Sequence, residues 1–201
     1  DTIGNNGYGI YSYISNAAST AMSTALLTNG AISTQGRSAH GIYTQNRGLG
    51  DALAQMNAGS IDTIGNSSSG LFSYVFNTGS TATAMAQLTG GVISTGGSSS
   101  RGLFAQNRGL GDALAQMDSG SVSTVGSASY GTYSYISNAA STATSSALLT
   151  GGTISTGGTS AYGLYARNSG LGEAQTQMDA GAIDTIGNNG YGIYSYISNA
   201  A

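Results

Sequence analysis

Few side chains in this sequence could catalyse a reaction. The 201 residues include one histidine, no cysteine and five basic residues, all of them arginine. A nucleophile or general base acts through positioned partners, and serine hydroxyls without a nearby base are only polar surface groups. In other copies of an internal repeat, the position of His40 is filled by unrelated residues: Tyr8, Ser69, Arg101, Tyr130 and Tyr162. We therefore interpret His40 as an outward surface residue and predict that the protein is not an enzyme.

The acidic residues also lack the spacing of a metal site. Asp1, Asp62 and Asp184 share one repeat position, but serine fills that position in the half-repeats between them. The GLGD segments at 48–51 and 109–112 lack the leading glycine pair of calcium-binding nonapeptides. The run GLGDAL also lacks the lysine of a phosphate loop, and without cysteine there is no thiolate site. We predict neither a metal nor a cofactor.

Composition excludes two classes of partner. Only 6% of residues are charged and the net charge is −3, so no basic stripe is available to neutralise nucleic-acid phosphates. No apolar run approaches the roughly 20 residues that cross a bilayer, so we predict no membrane insertion. The chain begins and ends in the middle of a repeating pattern, and we expect it to be a segment of a longer tandem array.

The elements that would position any functional side chain follow from the repeat. Residues 1–61, 62–122 and 123–183 align without a gap, and 184–201 begins a fourth copy that is identical to 1–18. Each unit splits into two half-repeats, alternately 29 and 32 residues apart, which open with an apolar residue at Ile32, Ile61, Ile93, Val122, Ile154 and Ile183. We therefore treat 1–201 as one continuous repeat domain.

Each half-repeat contains three short strand patterns. In HGIYTQN (40–46), Ile42 and Thr44 alternate with Tyr43 and Gln45, and this period of two predicts a strand with the first pair inward. A second inward pair is Ala54 and Met56, although GDALAQM could also form a helix, and a third strand carries the repeated isoleucine. Three strands per coil of about 30 residues predict an all-β, right-handed parallel β-helix with two coils per repeat.

Stacking of coils about 4.8 Å apart explains the unusual composition. Proline would interrupt the strand ladders, and a charge at a repeated position would face its own copy. We predict glycine corners at two columns, which begin with Gly36 and Gly41. The remaining charges are predicted to form corner ion pairs, Arg47 with Asp51 and Arg108 with Asp112.

The runs ISTQGRSAHGIYTQNRGLG (32–50), ISTGGSSSRGLFAQNRGLG (93–111) and ISTGGTSAYGLYARNSGLG (154–172) resemble the repeats of bacterial autotransporter passenger domains. The resemblance implies a right-handed parallel β-helix that is secreted through an outer-membrane barrel and serves as a surface adhesin or fibre. It also implies an extracellular, cell-surface location and contact with host cells, neighbouring cells or glycans. The unvarying repeat length departs from the family pattern.

Three columns are candidates for interaction. The outward aromatic column contains Tyr11, Tyr43, Phe72, Phe104, Tyr133, Tyr165 and Tyr194, and it is flanked in alternate coils by Tyr13, Tyr74, Tyr135 and Tyr196. These rings could stack within the molecule or form an exposed stripe that docks another fibre, a glycan or a cell surface. A threonine column (Thr2, Thr34, Thr63, Thr95, Thr124, Thr156 and Thr185) should point inward and form hydrogen bonds along the ladder. Asparagines are predicted to stack in ladders: Asn46, Asn107 and Asn168, with Asn16, Asn77, Asn138 and Asn199.

These patterns predict a structural extracellular fibre or adhesin stalk that self-associates or contacts surfaces through its aromatic face. The alternative is a solenoid module that binds ice or polysaccharide.

Overall fold

The computed structural model describes residues 1–199, which form strands, turns and loops without any helix. Sheet A contains β1 (Thr2–Ile3), β4 (Ala31–Gln35), β7 (Ser60–Ile64), β10 (Val92–Gly96), β13 (Ser121–Thr124), β16 (Thr153–Gly157) and β19 (Ala182–Ile186). Sheet B contains β2 (Tyr8–Ile14), β5 (His40–Asn46), β8 (Ser69–Val75), β11 (Arg101–Asn107), β14 (Tyr130–Ile136), β17 (Tyr162–Asn168) and β20 (Tyr191–Ile197). Sheet C contains β3 (Ser23–Leu27), β6 (Ala52–Met56), β9 (Ala84–Leu88), β12 (Ala113–Met117), β15 (Ser145–Leu149) and β18 (Ala174–Met178).

Each complete coil contributes one strand to each sheet, and the last described coil contributes only β19 and β20. All pairings are parallel between successive coils. In sheet A, Ile93 aligns with Ile61 on one side and Val122 on the other, which is the register that the 29- and 32-residue spacings require. The predicted parallel β-helix is confirmed. Within the GDALAQM segment, Ala52–Met56 form strand β6 and not a helix, and the alanine and methionine side chains alternate into the core.

The inward columns of the three sheets form one aliphatic core along the molecule. Ile42, Met56 and Ile61 are fully buried in it, as the alternation predicted. In an interior coil all three strands are hydrogen-bonded on both sides, so each inward side chain packs on its copies above and below. Burying one such side chain contributes about 1.5–3 kcal/mol.

The two glycine columns have different structural roles. Gly36 has a φ of +120°, and a Cβ there would collide with the Gly4 carbonyl of the preceding coil, so this column is a corner as predicted. Gly41 instead lies within β5, where a Cβ would collide with Ile61 Cγ2 and the Gly70 carbonyl. The prediction of a second corner at Gly41 is therefore wrong. Glycine is required there because sheets A and B approach each other closely.

Two loop lengths alternate between sheets B and C, and buried asparagines complete the shorter one. The Asn46 side chain donates from Nδ2 to the carbonyls of Ala21 and Asp51, both at 2.9 Å, and accepts from Gly48 N at 2.7 Å. In the ladder Asn46 lies between Ile14 and Val75 rather than between asparagines. The predicted ladder of stacked asparagines is wrong, because in this column only the short-loop coils have asparagine. The long-loop coils place theirs two residues later, where Asn77 and Asn138 bond to backbone groups of the loops.

Candidate functional site

The aromatic column runs along the outer face of sheet B. Ring centroids of successive coils are 4.9 Å apart for Tyr43 and Phe72, 4.7 Å for Phe72 and Phe104, and 4.8 Å for Phe104 and Tyr133. The rings are nearly parallel, with interplanar angles of 16–21° in these pairs. Stacking within the molecule is therefore confirmed, and it stabilises neighbouring coils by about 0.5–1.5 kcal/mol per pair beyond area burial.

The alternative of a continuous exposed aromatic stripe is wrong for the interior coils. Four rings of the column are buried, with exposed fractions of 5–9%: Tyr43, Phe104, Tyr133 and Tyr165. At the ends of the described region Tyr11 is 46% exposed and Tyr194 is half-buried. The flanking tyrosines are more open, since Tyr13 and Tyr196 are 40% and 42% exposed and Tyr74 and Tyr135 are half-buried.

A second flanking column explains this burial. The residue three positions before each ring lies against it: Tyr130 is 4.8 Å from Tyr133 and Tyr162 is 5.1 Å from Tyr165 between ring centroids. Tyr130 pairs with Tyr162 in the ladder of sheet B, so these covering residues form a column of their own beside the rings. Gly131 follows Tyr130 and separates it from the residues that alternate regularly inward and outward. Alternation alone identifies the rings but not the residues that cover them.

His40 belongs to this covering column and is not a surface residue. It is 7% exposed, and its ring centroid lies 5.8 Å from Tyr8, 5.5 Å from Tyr43 and 5.2 Å from Phe72. Burial, with a smaller effect of the Arg101 charge, lowers the pKa of His40 to about 3. The outward direction was predicted correctly, but exposure was not, because aromatic rings of the adjacent coils enclose the imidazole.

Arg47 and Arg108 lie over aromatic rings in place of the predicted ion pairs. Phe76 has the Arg47 and Arg108 guanidinium carbons each 4.7 Å from its ring centroid. Asp51 and Asp112 instead accept hydrogen bonds from backbone N–H groups one coil later, Asp51 from Thr83 N at 2.8 Å and Asp112 in the same way. The two carboxylates therefore link short loops to long loops through hydrogen bonds, and the two guanidinium groups pack on the aromatic rings.

The threonine column is buried as predicted, with Thr34, Thr63 and Thr156 completely inaccessible. Thr156 Oγ1 donates to Thr185 Oγ1 at 3.2 Å. The hydroxyls of Thr63, Thr95 and Thr124 have no hydrogen-bond partner within the described chain, so the predicted bonding along the ladder does not extend to them. An inward column cannot present its hydroxyls to ice.

Burial also governs the ionisation of the tyrosines. It raises the pKa of Tyr43 and Tyr133 far above the ordinary value, and it raises the pKa of Tyr165 to about 12. Neighbouring tyrosines add to the shift, while Arg167 opposes it at Tyr165. At neutral pH these phenols are hydrogen-bond donors and not anions.

A groove opens on sheet B where the covering column is interrupted. Ser69 is too short to cover the Phe72 ring, so Phe72 is half-buried whereas the equivalent rings in neighbouring coils are buried. The groove encloses about 350 Å³ and is lined by Phe72, His40, Arg101 and Gln106, among others. Sequence reasoning did not recognise Arg101 or His40 as site residues. The available signal was the change from Tyr to Ser in the column that they share.

Within residues 1–199, no group of three or more His, Asp or Glu side chains could hold a metal ion. The same residues contain no helix with the length and hydropathy of a membrane span. Comparison with protein-family models, curated proteins and solved structures found no match for the chain.

Proposed function

We propose that the protein is a structural extracellular fibre or adhesin stalk on a bacterial cell surface, with no catalytic role. The observation that carries this proposal is the unbroken parallel ladder. Sheets A and B each join seven strands and sheet C joins six, with one strand per coil. Each added repeat extends the same core and ladders without a new type of interface, which is what a rod of adjustable length requires.

The outer face of sheet B is the surface that we propose for self-association or contact with a cell surface. Its accessible side chains include Tyr13, Tyr74, Tyr135 and Tyr196. Tyrosine suits such contacts because an apolar ring and a polar hydroxyl meet a partner at small cost in side-chain entropy. Arg47 and Arg108 hold neighbouring rings in place through their contacts with Phe76.

Electron microscopy and fibre diffraction of the purified protein test the rod. We expect narrow particles, a meridional reflection near 4.8 Å, and a length increase of about 29 Å for six added coils. Compact globular particles whose dimensions do not follow repeat number would contradict the proposal.

Labelling of intact cells tests the location. An antibody against the repeat should label intact cells of the native organism as strongly as permeabilised ones, and labelling only after permeabilisation would contradict an extracellular role. The secretion route proposed from the autotransporter resemblance requires a translocator barrel in the same reading frame. A reading frame with a different anchor would contradict that route but not the fibre.

A further inference from the structure

The outer face of sheet A has an exposed aliphatic side chain in every second coil. The four residues of this aliphatic row are between 54% and 81% exposed: Ile3, Ile64, Val125 and Ile186. Gly96 and Gly157 occupy two of the positions between them in the ladder, and Gln35 occupies the third. The row therefore consists of protruding side chains that repeat every two coils, about 9.6 Å apart, with low positions between them.

The fold itself does not require glycine at the two low positions. A Cβ at Gly96 would have its nearest neighbours at 3.9 and 4.0 Å, and a Cβ at Gly157 would have them at 3.8 Å. Both contacts are ordinary van der Waals distances, whereas a Cβ at Gly41 would collide with Ile61. Neither Gly96 nor Gly157 has a positive φ. The space outside these two glycines is therefore open to a side chain of another molecule.

We propose that two copies of the chain pair antiparallel through the outer face of sheet A, with the aliphatic row of each copy fitting between the side chains of the other row. A second copy is the occupant because this surface is complementary to itself: the protruding residues and the low positions have the same spacing. A two-fold axis that runs along the strands and passes between two coils brings each protruding residue opposite a low position. This face is separate from the outer face of sheet B, so the pairing does not depend on the function proposed above.

The strands fix where the two-fold axis lies. An axis between β10 and β13 pairs all six strands from β4 to β19, each of which has at least four residues, and leaves out the two-residue β1. Ile64 then lies over Gly157 of the partner, and Val125 lies over Gly96 of the partner. By symmetry each of these contacts forms twice.

The charged side chains of this face favour the same arrangement. On strands β4 to β19 the outward charged residues are Asp62 and Asp184, and serine fills their column in the other coils. With the axis between β10 and β13, Asp62 faces Ser155 of the partner and Asp184 faces Ser33 of the partner, so each carboxylate meets a hydroxyl donor. A two-fold axis along the rod would instead place each aspartate opposite its own copy, which is unfavourable.

The area of the face is sufficient for a specific pair. Six strands about 4.8 Å apart and about 17 Å long cover roughly 500 Å² on each copy, or about 1,000 Å² in the pair. This value reaches the lower limit of specific interfaces. Each added repeat enlarges the face, so longer arrays should pair more tightly.

Sedimentation equilibrium of the 201-residue chain at submillimolar concentration tests the pairing, and Ser155→Asp with Ser94→Asp as its control tests the register. Each substitution places a carboxylate beside one aspartate of its own chain, since Ser155 pairs with Asp184 and Ser94 pairs with Asp62. The cost to the fold should therefore be similar. Only Ser155→Asp also faces an aspartate of the partner, so it should weaken the pair at least tenfold, whereas Ser94→Asp should leave the dissociation constant nearly unchanged.

Disulfide formation tests the predicted contact directly, because the chain has no cysteine of its own. The double variant Ile64→Cys with Gly157→Cys should form a covalent dimer on oxidation. Within one chain these positions lie three coils apart, about 14 Å, which is too far for a disulfide. Ile64→Cys alone should remain monomeric under denaturing conditions, because it faces Gly157 of the partner and not its own copy.

Circular dichroism melting of each variant verifies folding. The proposal is overturned by any of three results: an unmodified protein that stays monomeric at submillimolar concentration, equal weakening of the pair by Ser155→Asp and Ser94→Asp, or a double cysteine variant that cross-links no more than Ile64→Cys alone.

Discussion

His40 Nδ1 accepts a hydrogen bond from the backbone N–H of Ser69 in the next coil, with a donor–acceptor distance of 3.0 Å. This contact joins two coils through a side chain at the edge of sheet B, beside the regular strand ladder. This hydrogen bond can form only while the imidazole is neutral, so protonation of His40 disfavours the native structure. The single histidine therefore makes the stability of the protein sensitive to acid.

Mild acid should destabilise the protein through His40. The pKa of this buried imidazole is lowered from 6.5 to about 3, so between these values the unfolded chain binds a proton that the native protein does not. Stability is fully present above pH 6.5, and it should fall with decreasing pH by up to about 1.4 kcal/mol per unit. Urea unfolding at pH 7 and pH 4 measures the loss. His40→Tyr, the residue type of four equivalent positions, should lose less, and equal losses in both proteins would contradict the assignment.

Gly102 should not tolerate a methyl group. A Cβ at this position would collide with Val122 Cγ1 and the Gly131 carbonyl, so Gly102→Ala should cost about 3 kcal/mol or more of unfolding free energy. Gly79→Ala is the matched control, because the nearest atom to its Cβ would be 3.7 Å away. The control should change stability by no more than about 0.5 kcal/mol. Thermal unfolding compares the two, and similar melting temperatures would count against the close approach of sheets A and B.

Asn107 should be essential to the short loop that follows it. Its side chain donates to Ala82 O and Asp112 O, each at 2.7 Å, and accepts from Gly109 N at 2.7 Å. Asn107→Leu leaves these buried groups unpaired and should cost about 3 kcal/mol or more. Leucine should not rescue the loop, although Val75 and Ile136 occupy the same column.

The more exposed Asn77 is the matched position for this test. It bonds to Gly79 N and to Ala17 O at the protein surface, so Asn77→Leu should cost under about 1 kcal/mol. Chemical denaturation of both variants checks the difference. A small effect at Asn107 would show that the short loop is held by other contacts.

A charge in the core should prevent folding of the central coils. Ile93 is fully buried, and Ile93→Asp would bury an unpaired carboxylate, which costs several kcal/mol unless the group is neutralised. The control is Ser123→Asp, since Ser123 lies on the outer face of sheet A between Ser94 and Ser155. Asp62 and Asp184 already occupy that column. Circular dichroism should show lost strand content only for Ile93→Asp, and a native spectrum for that variant would contradict the inward assignment.

The fold could be predicted because the signals that define it are local and repeated. Alternation identified the inward residues Ile42 and Met56, and the gap-free period identified which strands pair. In a parallel solenoid each residue packs against its own copy, so the repeat alignment is also the contact map. The site could be predicted only in part, since the aromatic column is a repeated feature whereas its covering residues change from coil to coil.

The sequence by itself determined the period, the three strands per coil and the side of each strand that faces the core, because a parallel ladder forces equivalent residues into register. Only the tertiary structure decided the burial of His40, the partial exposure of Phe72 and the contacts of Arg101. These depend on the size of the residue one coil away and on the close approach of the sheets at the glycine beside it, which strand periodicity does not encode. The scarcity of charge follows from stacking, and where each remaining charge lies follows from its neighbours in adjacent coils.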